Sequence, residues 1–171
     1  YYLLYKEDLD QAEANYQASL QIDPSYINSI HNMAVVQIKR YENSMDDQGR
    51  GDIKYLDQAK DWLDKALTLN SNFALSYQEY AKYHFYSKKY DLALAAAKKA
   101  IQLDSRAVRA YVILGQIYLK GKKDLKNALS QFEQAYAFDR NSLEALYYLH
   151  LIYSQLANKD KAAYYYDQYL A

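Results

Sequence analysis

The 171-residue sequence contains no cysteine, one proline and only four glycines. Without cysteine the chain can form no disulfide, no thiol nucleophile and no Cys-ligated zinc site. Because proline and glycine are the residues that most often interrupt helices, their scarcity predicts that almost the whole chain is helical and that its turns are few. The sequence also shows no signal peptide and no apolar run of the ~20 residues that a transmembrane helix needs.

An excess of charge of one sign is missing too, because 21 Lys and Arg residues balance 21 Asp and Glu residues. A neutral chain gives no electrostatic reason to expect nucleic acid or an anionic membrane as a partner. We therefore expect no nucleic-acid binding and no membrane insertion. Tyrosine, in contrast, is abundant at 22 residues, and its rigid side chain with a hydrogen-bonding end is favoured at protein interfaces.

Two amphipathic helices folded back on each other are predicted between Tyr111 and Phe138. In both halves of this segment the apolar residues recur at steps of three and four, and a charged stretch with Gly121 separates the halves. Gly115 lies inside the first helix, where glycine costs ~1 kcal/mol relative to alanine. We attribute this glycine to a close approach of the second helix at Ala128.

The order of residues in this segment resembles the tetratricopeptide repeat, a helix-turn-helix unit of ~34 residues. The resemblance lies in the pattern aromatic-x-x-Leu-Gly-x-x-Tyr at 111–118, followed by Ala-x-x-x-Phe at 128–132. It implies an all-α fold in which successive units stack into a right-handed superhelix, with the first helix of each unit lining the inner groove. It also implies that the protein holds other proteins.

Small residues that open the second helix of each unit place the repeats along the chain. They recur after 47, 34, 35 and 34 residues and are Ala12, Ala59, Ala93, Ala128 and Ala162. We therefore predict a single array of about 4.5 units. The units cover residues 1–24 (partial), 25–71 (with an inserted loop at 41–54), 72–104, 105–140 and 141–171.

The first unit is expected to be incomplete. Residues 1–6 are predicted to be the second half of a first helix, residues 7–10 a turn, and residues 12–22 the second helix. Because a natural protein does not begin halfway along a helix, we expect the sequence to be a piece of a longer protein. Any targeting signal would then lie upstream, which leaves the compartment of this soluble protein open between cytoplasm and periplasm.

The inner groove is the predicted binding site for a partner. In the tetratricopeptide family the second, fifth, ninth and twelfth residues of a unit commonly face this groove. In units two to five the resemblance therefore implies sixteen groove positions, among them Val35, Ile38, Leu75, Leu119, Leu151 and Ser154. The other ten are the predicted binding-site residues: Asn28, His31, Gln78, Lys82, Phe85, Arg109, Val112, Gln116, Glu144 and Tyr147. Apolar anchors combined with a few polar contacts suit an extended peptide or an inserted helix of another protein.

One branch of the family grips a C-terminal carboxylate with Lys, Asn and Arg residues from three successive units. Here Arg109 alone has the required charge, and Glu79 would repel a carboxylate. This mode of binding is therefore not expected.

The sequence is also compatible with two other functions, which are self-association and a role as a regulatory arm of a larger enzyme. Self-association would use tyrosines that do not fall at the repeat positions expected to face the core. These are Tyr1, Tyr2, Tyr5, Tyr147, Tyr148, Tyr164 and Tyr165. A second set is expected to pack in the core: Tyr16, Tyr77, Tyr80, Tyr111, Tyr118, Tyr153 and Tyr166.

Catalysis by these residues is not predicted. The three histidines, His31, His84 and His150, fall in different units, so neither a metal site nor an acid–base pair is expected. No glycine-rich phosphate loop or nucleophile motif occurs. We expect no cofactor. The inserted loop is interpreted either as a contact element beside the groove or as a tolerated insertion.

Overall fold

The computed structural model describes the backbone of residues 2–171 and the side chains of residues 9–171. In this part of the chain nine α-helices follow one another and no strand occurs, which confirms the predicted all-α fold. The helices are α1 (Tyr2–Ile22), α2 (Ile27–Asn43), α3 (Ile53–Leu69), α4 (Ala74–Tyr86), α5 (Tyr90–Leu103), α6 (Val108–Gln116), α7 (Leu125–Phe138), α8 (Leu143–Gln155) and α9 (Lys159–Leu170). A π-helical turn, Ile117–Lys122, continues α6.

Helices α2 to α9 pack as four hairpins, α2 with α3, α4 with α5, α6 with α7 and α8 with α9. Each first helix also packs against the first helix or the second helix of the preceding pair, so the pairs form one stack. In such a stack no pair buries its apolar face alone, and the interface between neighbours supplies the continuous core.

The alanines that define the repeat are buried at the helix crossings, as predicted. Ala59, Ala93 and Ala128 are completely buried, and Ala162 is 7% exposed. A side chain as small as alanine lets two helix backbones approach closely, which is what packing two helices of one hairpin requires. Ala12, on α1, is only half-buried.

An acidic or amide side chain closes the turn before each new pair. The backbone N–H groups of Ser25, Asn72, Arg106 and Asn141 each donate to the side-chain oxygen two residues before them, at 2.9 Å in all four turns. The acceptors are Asp23, Asn70, Asp104 and Asp139, and they share the spacing of the alanines. This local hydrogen bond favours a turn over a continued helix.

Gly115 owes its place in α6 to Phe132 rather than to Ala128, which corrects the prediction. A Cβ atom added to Gly115 would lie 2.5 Å from Cζ of Phe132. The Phe132 ring is fully buried. It also stacks on Tyr148 of α8, with 4.6 Å between ring centroids and 9° between ring planes. One aromatic ring on α7 therefore joins α6 of its own pair to α8 of the next pair.

The predicted turn at residues 7–10 is not formed, because α1 runs as one helix from Tyr2 to Ile22. No glycine or proline lies within this segment to stop a helix. The predicted half-helix at residues 1–6 and separate helix from residue 12 are parts of that single helix. Tyr1 lies outside the described residues.

The connection between α2 and α3 spans residues 44–52, which is shorter than the predicted loop at 41–54 because both helices extend into it. Asp46 organises this loop by accepting hydrogen bonds from the backbone of Gln48 and Arg50 and from the Arg50 guanidinium. Asp52 then caps α3 by accepting from the backbone N–H of Lys54 at 3.1 Å. The loop is therefore held closed by its own side chains.

The two predicted classes of tyrosine are only partly correct. Tyr153 is buried as expected, but Tyr166 is 45% exposed. Tyr148, assigned outside the core phase, packs on the fully buried Phe132. The interior also includes Tyr41 and Tyr83, which the repeat pattern did not single out. Aromatic rings are long enough to reach a neighbouring pair, so burial does not follow from helix phase alone.

The contact between Gly115 and Phe132 predicts that Gly115→Ala destabilises the protein. We expect the free energy of unfolding to fall by about 2 kcal/mol, although alanine is by itself the better helix former by ~1 kcal/mol. Chemical denaturation measures this change. Combining Gly115→Ala with Phe132→Leu removes the clashing ring. The loss of stability in the double variant should therefore be smaller than the sum of the losses in the two single variants. A Gly115→Ala protein more stable than the wild type would contradict the proposed packing.

Candidate functional site

The first helices of all four pairs contribute side chains to one cleft of about 100 Å³. Its lining combines aliphatic, charged and amide side chains. They are Val35, Ile38 and Lys39 from α2, Glu79 and Lys82 from α4, Arg109, Val112, Ile113 and Gln116 from α6, and Glu144 from α8. We call this cleft the central groove. Because no second helix contributes to its lining, its position agrees with the inner groove expected for the stack.

Five of the ten predicted site residues line the central groove: Lys82, Arg109, Val112, Gln116 and Glu144. Asn28 is exposed and lies outside it, and Tyr147 lines a neighbouring cavity. His31, Gln78 and Phe85 are buried, at 6%, 4% and 9% exposure. These three, like Val112 at 5% exposure, offer almost no contact surface to a partner.

The buried predicted residues serve the packing between helices instead. His31 lies edge-on to Phe73, with 5.5 Å between ring centroids, and its Nδ1 is 3.3 Å from Oγ of Ser76. Phe85 packs against Tyr90 of α5. Burial, helped by the charge of Arg109, lowers the pKa of His31 to about 4, so the ring is neutral at physiological pH.

Lys82 does not extend freely into the groove, because Glu42 at the end of α2 binds it. Its Nζ lies 2.6 Å from Oε1 of Glu42. The hydroxyl of Tyr86 donates to the same oxygen at 2.5 Å. Burial opposes ionisation of Glu42, but Lys82 and Tyr86 outweigh it and lower the pKa of this carboxyl. Lys82 and Glu42 are therefore a charged pair within the protein.

Glu79 forms the floor of the groove and is the residue whose role was least visible in the sequence. Its side chain is 5% exposed, and its Oε1 accepts from Nη1 of Arg109 at 3.4 Å. Burial raises the pKa of Glu79, Glu42 adds to that effect, and the charges of Lys82 and Arg109 oppose it. The side chain of Arg109 is 66% exposed, so Arg109 is the residue of this pair that a partner can reach.

A second cavity of about 280 Å³ continues the groove at the α8 end. Gln116 and Glu144 line both spaces, and the second one is completed by Leu143, Tyr147, Tyr148 and Tyr169. We call it the aromatic compartment. Tyr148 forms its fixed wall, because it stacks on Phe132 and accepts a hydrogen bond from Nε2 of Gln116 at 3.2 Å.

Residues 108–142, which include α6 and α7, match the family model of the tetratricopeptide repeat. This segment is therefore a tetratricopeptide repeat. The resemblance seen in the sequence around Gly115 is thus confirmed, and it falls on the segment in which Phe132 packs against that glycine. No curated protein matches the sequence.

Solved tetratricopeptide structures share the fold along nearly the whole chain. TTC0263 of Thermus thermophilus superimposes with a TM-score of 0.77 at 16% identity, covering 98% of this chain and 84% of that one. PilF of Pseudomonas aeruginosa gives 0.73 at 22% identity, with 98% and 70% covered. YrrB, described as a TPR protein with an unusual peptide-binding site, gives 0.57 at 21% identity, with 98% and 79% covered. The predicted helical solenoid is therefore confirmed.

Metal binding and membrane insertion are the two other roles on which the described residues bear. No three His, Asp or Glu side chains among them are grouped so that they could hold a metal ion. None of the helices described for residues 2–171 is both long and apolar enough to cross a bilayer.

Burial of Glu79 predicts a pH-dependent difference between the wild type and Glu79→Gln. A carboxyl whose pKa is raised by folding binds its proton more tightly in the folded state, so its contribution to stability is present at low pH and is lost as the pH rises. Glutamine does not ionise, so the stability of Glu79→Gln does not decrease in this way as the pH rises. The stability of Glu79→Gln relative to the wild type should therefore be highest at neutral pH and decrease toward about pH 4.5.

Denaturation curves recorded across this range measure the difference, and Glu144→Gln is the matched control. Glu144 lines the same groove but is exposed. We expect its substitution to change stability by less than about 0.5 kcal/mol at any pH. Equal pH dependence in the Glu79→Gln and wild-type proteins would show that Glu79 is not desolvated.

Proposed function

We propose that this protein is a scaffold or adaptor that binds a peptide or helix of a partner protein in the central groove. A tetratricopeptide array supports the broader role of a protein-interaction scaffold, because its stacked helix pairs create an extended concave surface. The central groove is the place that we propose for this role. The proposal needs neither a cofactor nor a catalytic group.

The observation that carries the proposal is that four successive first helices contribute to one cleft. The half-buried Val35 supplies apolar surface there, next to the buried Val112 and Ile113, and Arg109 and Gln116 supply hydrogen-bond donors beside it. Apolar anchors with a few polar contacts are what a peptide or helix needs from a recognition groove. The peptide-binding site named for YrrB, which has the same fold, supports this interpretation.

Self-association is the second candidate, and one observation favours it. The segment 143–170, which consists of α8, α9 and the turn between them, carries eight of the fourteen exposed large apolar side chains of the described residues: Leu143, Tyr147, Leu151, Leu156, Tyr164, Tyr166, Tyr169 and Leu170. Exposed apolar side chains concentrated in one segment favour an interaction surface there. Light scattering on a dilution series separates the two candidates, because a strict monomer would end the second one. Nothing observed favours a regulatory arm of an enzyme.

Charge reversal at the groove tests the proposed function. We expect Arg109→Glu, and the double variant that also carries Lys82→Glu, to weaken binding of a groove ligand at least about tenfold. The reason is that each change places a carboxylate beside one already present, Glu79 or Glu42. The ligand is a peptide selected on the wild-type protein from a library of random peptides, and fluorescence anisotropy measures its affinity.

The matched control is Lys98→Glu, an exposed residue of the second helix α5, which should leave the affinity within about twofold. Circular dichroism and thermal melting confirm that each variant is folded. Unchanged affinity in a folded Arg109→Glu protein would remove the central groove as the binding site.

A further inference from the structure

The charges of the central groove are largely compensated within the protein. Lys82 is paired with Glu42, and Arg109 is paired with Glu79. The third cation of the lining, Lys39, interacts electrostatically with both of these carboxyl groups. Glu144 adds another acidic group to the lining, within electrostatic reach of Lys82. A cation that already has a protein carboxylate beside it gains little from a second one, because the new carboxylate is repelled by the first. Electrostatics in this groove therefore does not favour an acidic ligand.

Exposed apolar surface is concentrated instead at the α8 end of the groove. In the aromatic compartment Leu143 is 58% exposed, Tyr147 is 43% exposed and Tyr169 is 37% exposed. The rings of Tyr147 and Tyr169 lie 6.0 Å apart between centroids, and those of Tyr147 and Tyr148 lie 5.4 Å apart in an edge-on arrangement. Rigid aromatic walls around an open apolar space are typical of a pocket that accepts one large anchor residue.

The two spaces form one continuous surface, because Gln116 and Glu144 belong to both. A segment lying in the central groove would thus pass directly over the aromatic compartment. The polar groups along its path include hydrogen-bond donors and acceptors that suit a peptide backbone, such as the amide of Gln116 and the guanidinium of Arg109.

We propose that the groove binds an internal, uncharged segment of its partner and holds it by one bulky apolar side chain in the aromatic compartment. The groove does not recognise the C-terminal carboxylate of the partner. This inference rests on the proposed function and specifies the chemistry of the ligand. Its geometric basis is the pairing of Lys82 with Glu42 and of Arg109 with Glu79, next to the exposed rings of Tyr147 and Tyr169.

Two random peptide libraries test the inference with the full chain as bait. In one library the random segment is flanked by constant residues on both sides, and in the other it ends in a free C-terminus. We expect binders from the flanked library to be enriched in Leu, Phe, Tyr or Trp at one position and not in Asp or Glu. A synthetic binder should bind about equally well, within about twofold, as the acid and as the C-terminal amide.

Substitutions in the compartment give the second readout. Tyr147→Ala and Leu143→Ser are expected to weaken the selected peptide at least about tenfold, because each removes apolar contact area around the anchor. Replacing the anchor residue of the peptide by alanine should also lower the affinity at least about tenfold. Tyr166→Ala is the matched control, since Tyr166 is similarly exposed, at 45%, but contacts His150 rather than the compartment. We expect it to change the affinity by less than about twofold.

Each contrary result has a distinct meaning. Binders that come only from the free-terminus library, or that lose most of their affinity on amidation, would overturn the inference. So would unchanged affinity in Tyr147→Ala and Leu143→Ser while Arg109→Glu still weakens binding, although the proposed function would then stand. If Tyr147→Ala converts a dimer to a monomer, a second copy occupies the compartment and the inference is also overturned. Failure of both libraries to yield a binder would overturn the inference and the proposed function together.

Discussion

The packing of Phe132 against Gly115 and Tyr148 is the contact on which this part of the array depends. It brings together the first helix and the second helix of one pair and the first helix of the next pair in a single buried cluster. Removing a fully buried phenylalanine typically costs about 3–5 kcal/mol. The geometry matters as much as the energy, because Tyr148 is held where it forms one wall of the aromatic compartment. The core and the proposed binding surface thus share a residue.

The same construction is repeated along the chain with smaller side chains. Ala59, Ala93 and Ala128 are buried at successive helix crossings, and an Asp or Asn side chain closes the turn between pairs. Because each pair repeats these two features at a nearly constant interval, each pair is placed on its predecessor in a similar way. The first helices consequently lie side by side, and the residues on their shared face form the central groove. Binding surface and repeat period therefore have one physical origin.

The parts of the structure that the sequence predicted are those that depend on local periodicity. The alanine spacing and the pattern around Gly115 were sufficient to predict the helices, their pairing and the helical solenoid. The turn acceptors Asp23, Asn70, Asp104 and Asp139 carry an equally regular signal. Local stop signals were less reliable: the acidic stretch at residues 7–10 suggested a turn, yet α1 continues through it because no helix breaker is present.

The site was less predictable because it depends on which side chains meet across the stack. Repeat position alone assigned His31, Gln78 and Phe85 to the groove, whereas neighbouring helices cover all three. Glu42 is separated from Lys82 by 40 residues, and no periodic signal connects them. Whether Glu79 is exposed or buried depends on the exact approach of α2, α4 and α6. Such contacts between pairs decide which charges remain for a ligand, and a single sequence does not specify them.

The most direct test of this account is a map of where a ligand touches the array. Backbone amide NMR shifts of the full chain, recorded with and without a peptide selected from the random library, provide that map. The account predicts that the largest changes fall on the first helices α4, α6 and α8, including Arg109, Gln116 and Tyr147. Changes confined to the second helices α3, α5 and α7 would place binding on the opposite side of the stack and would contradict it.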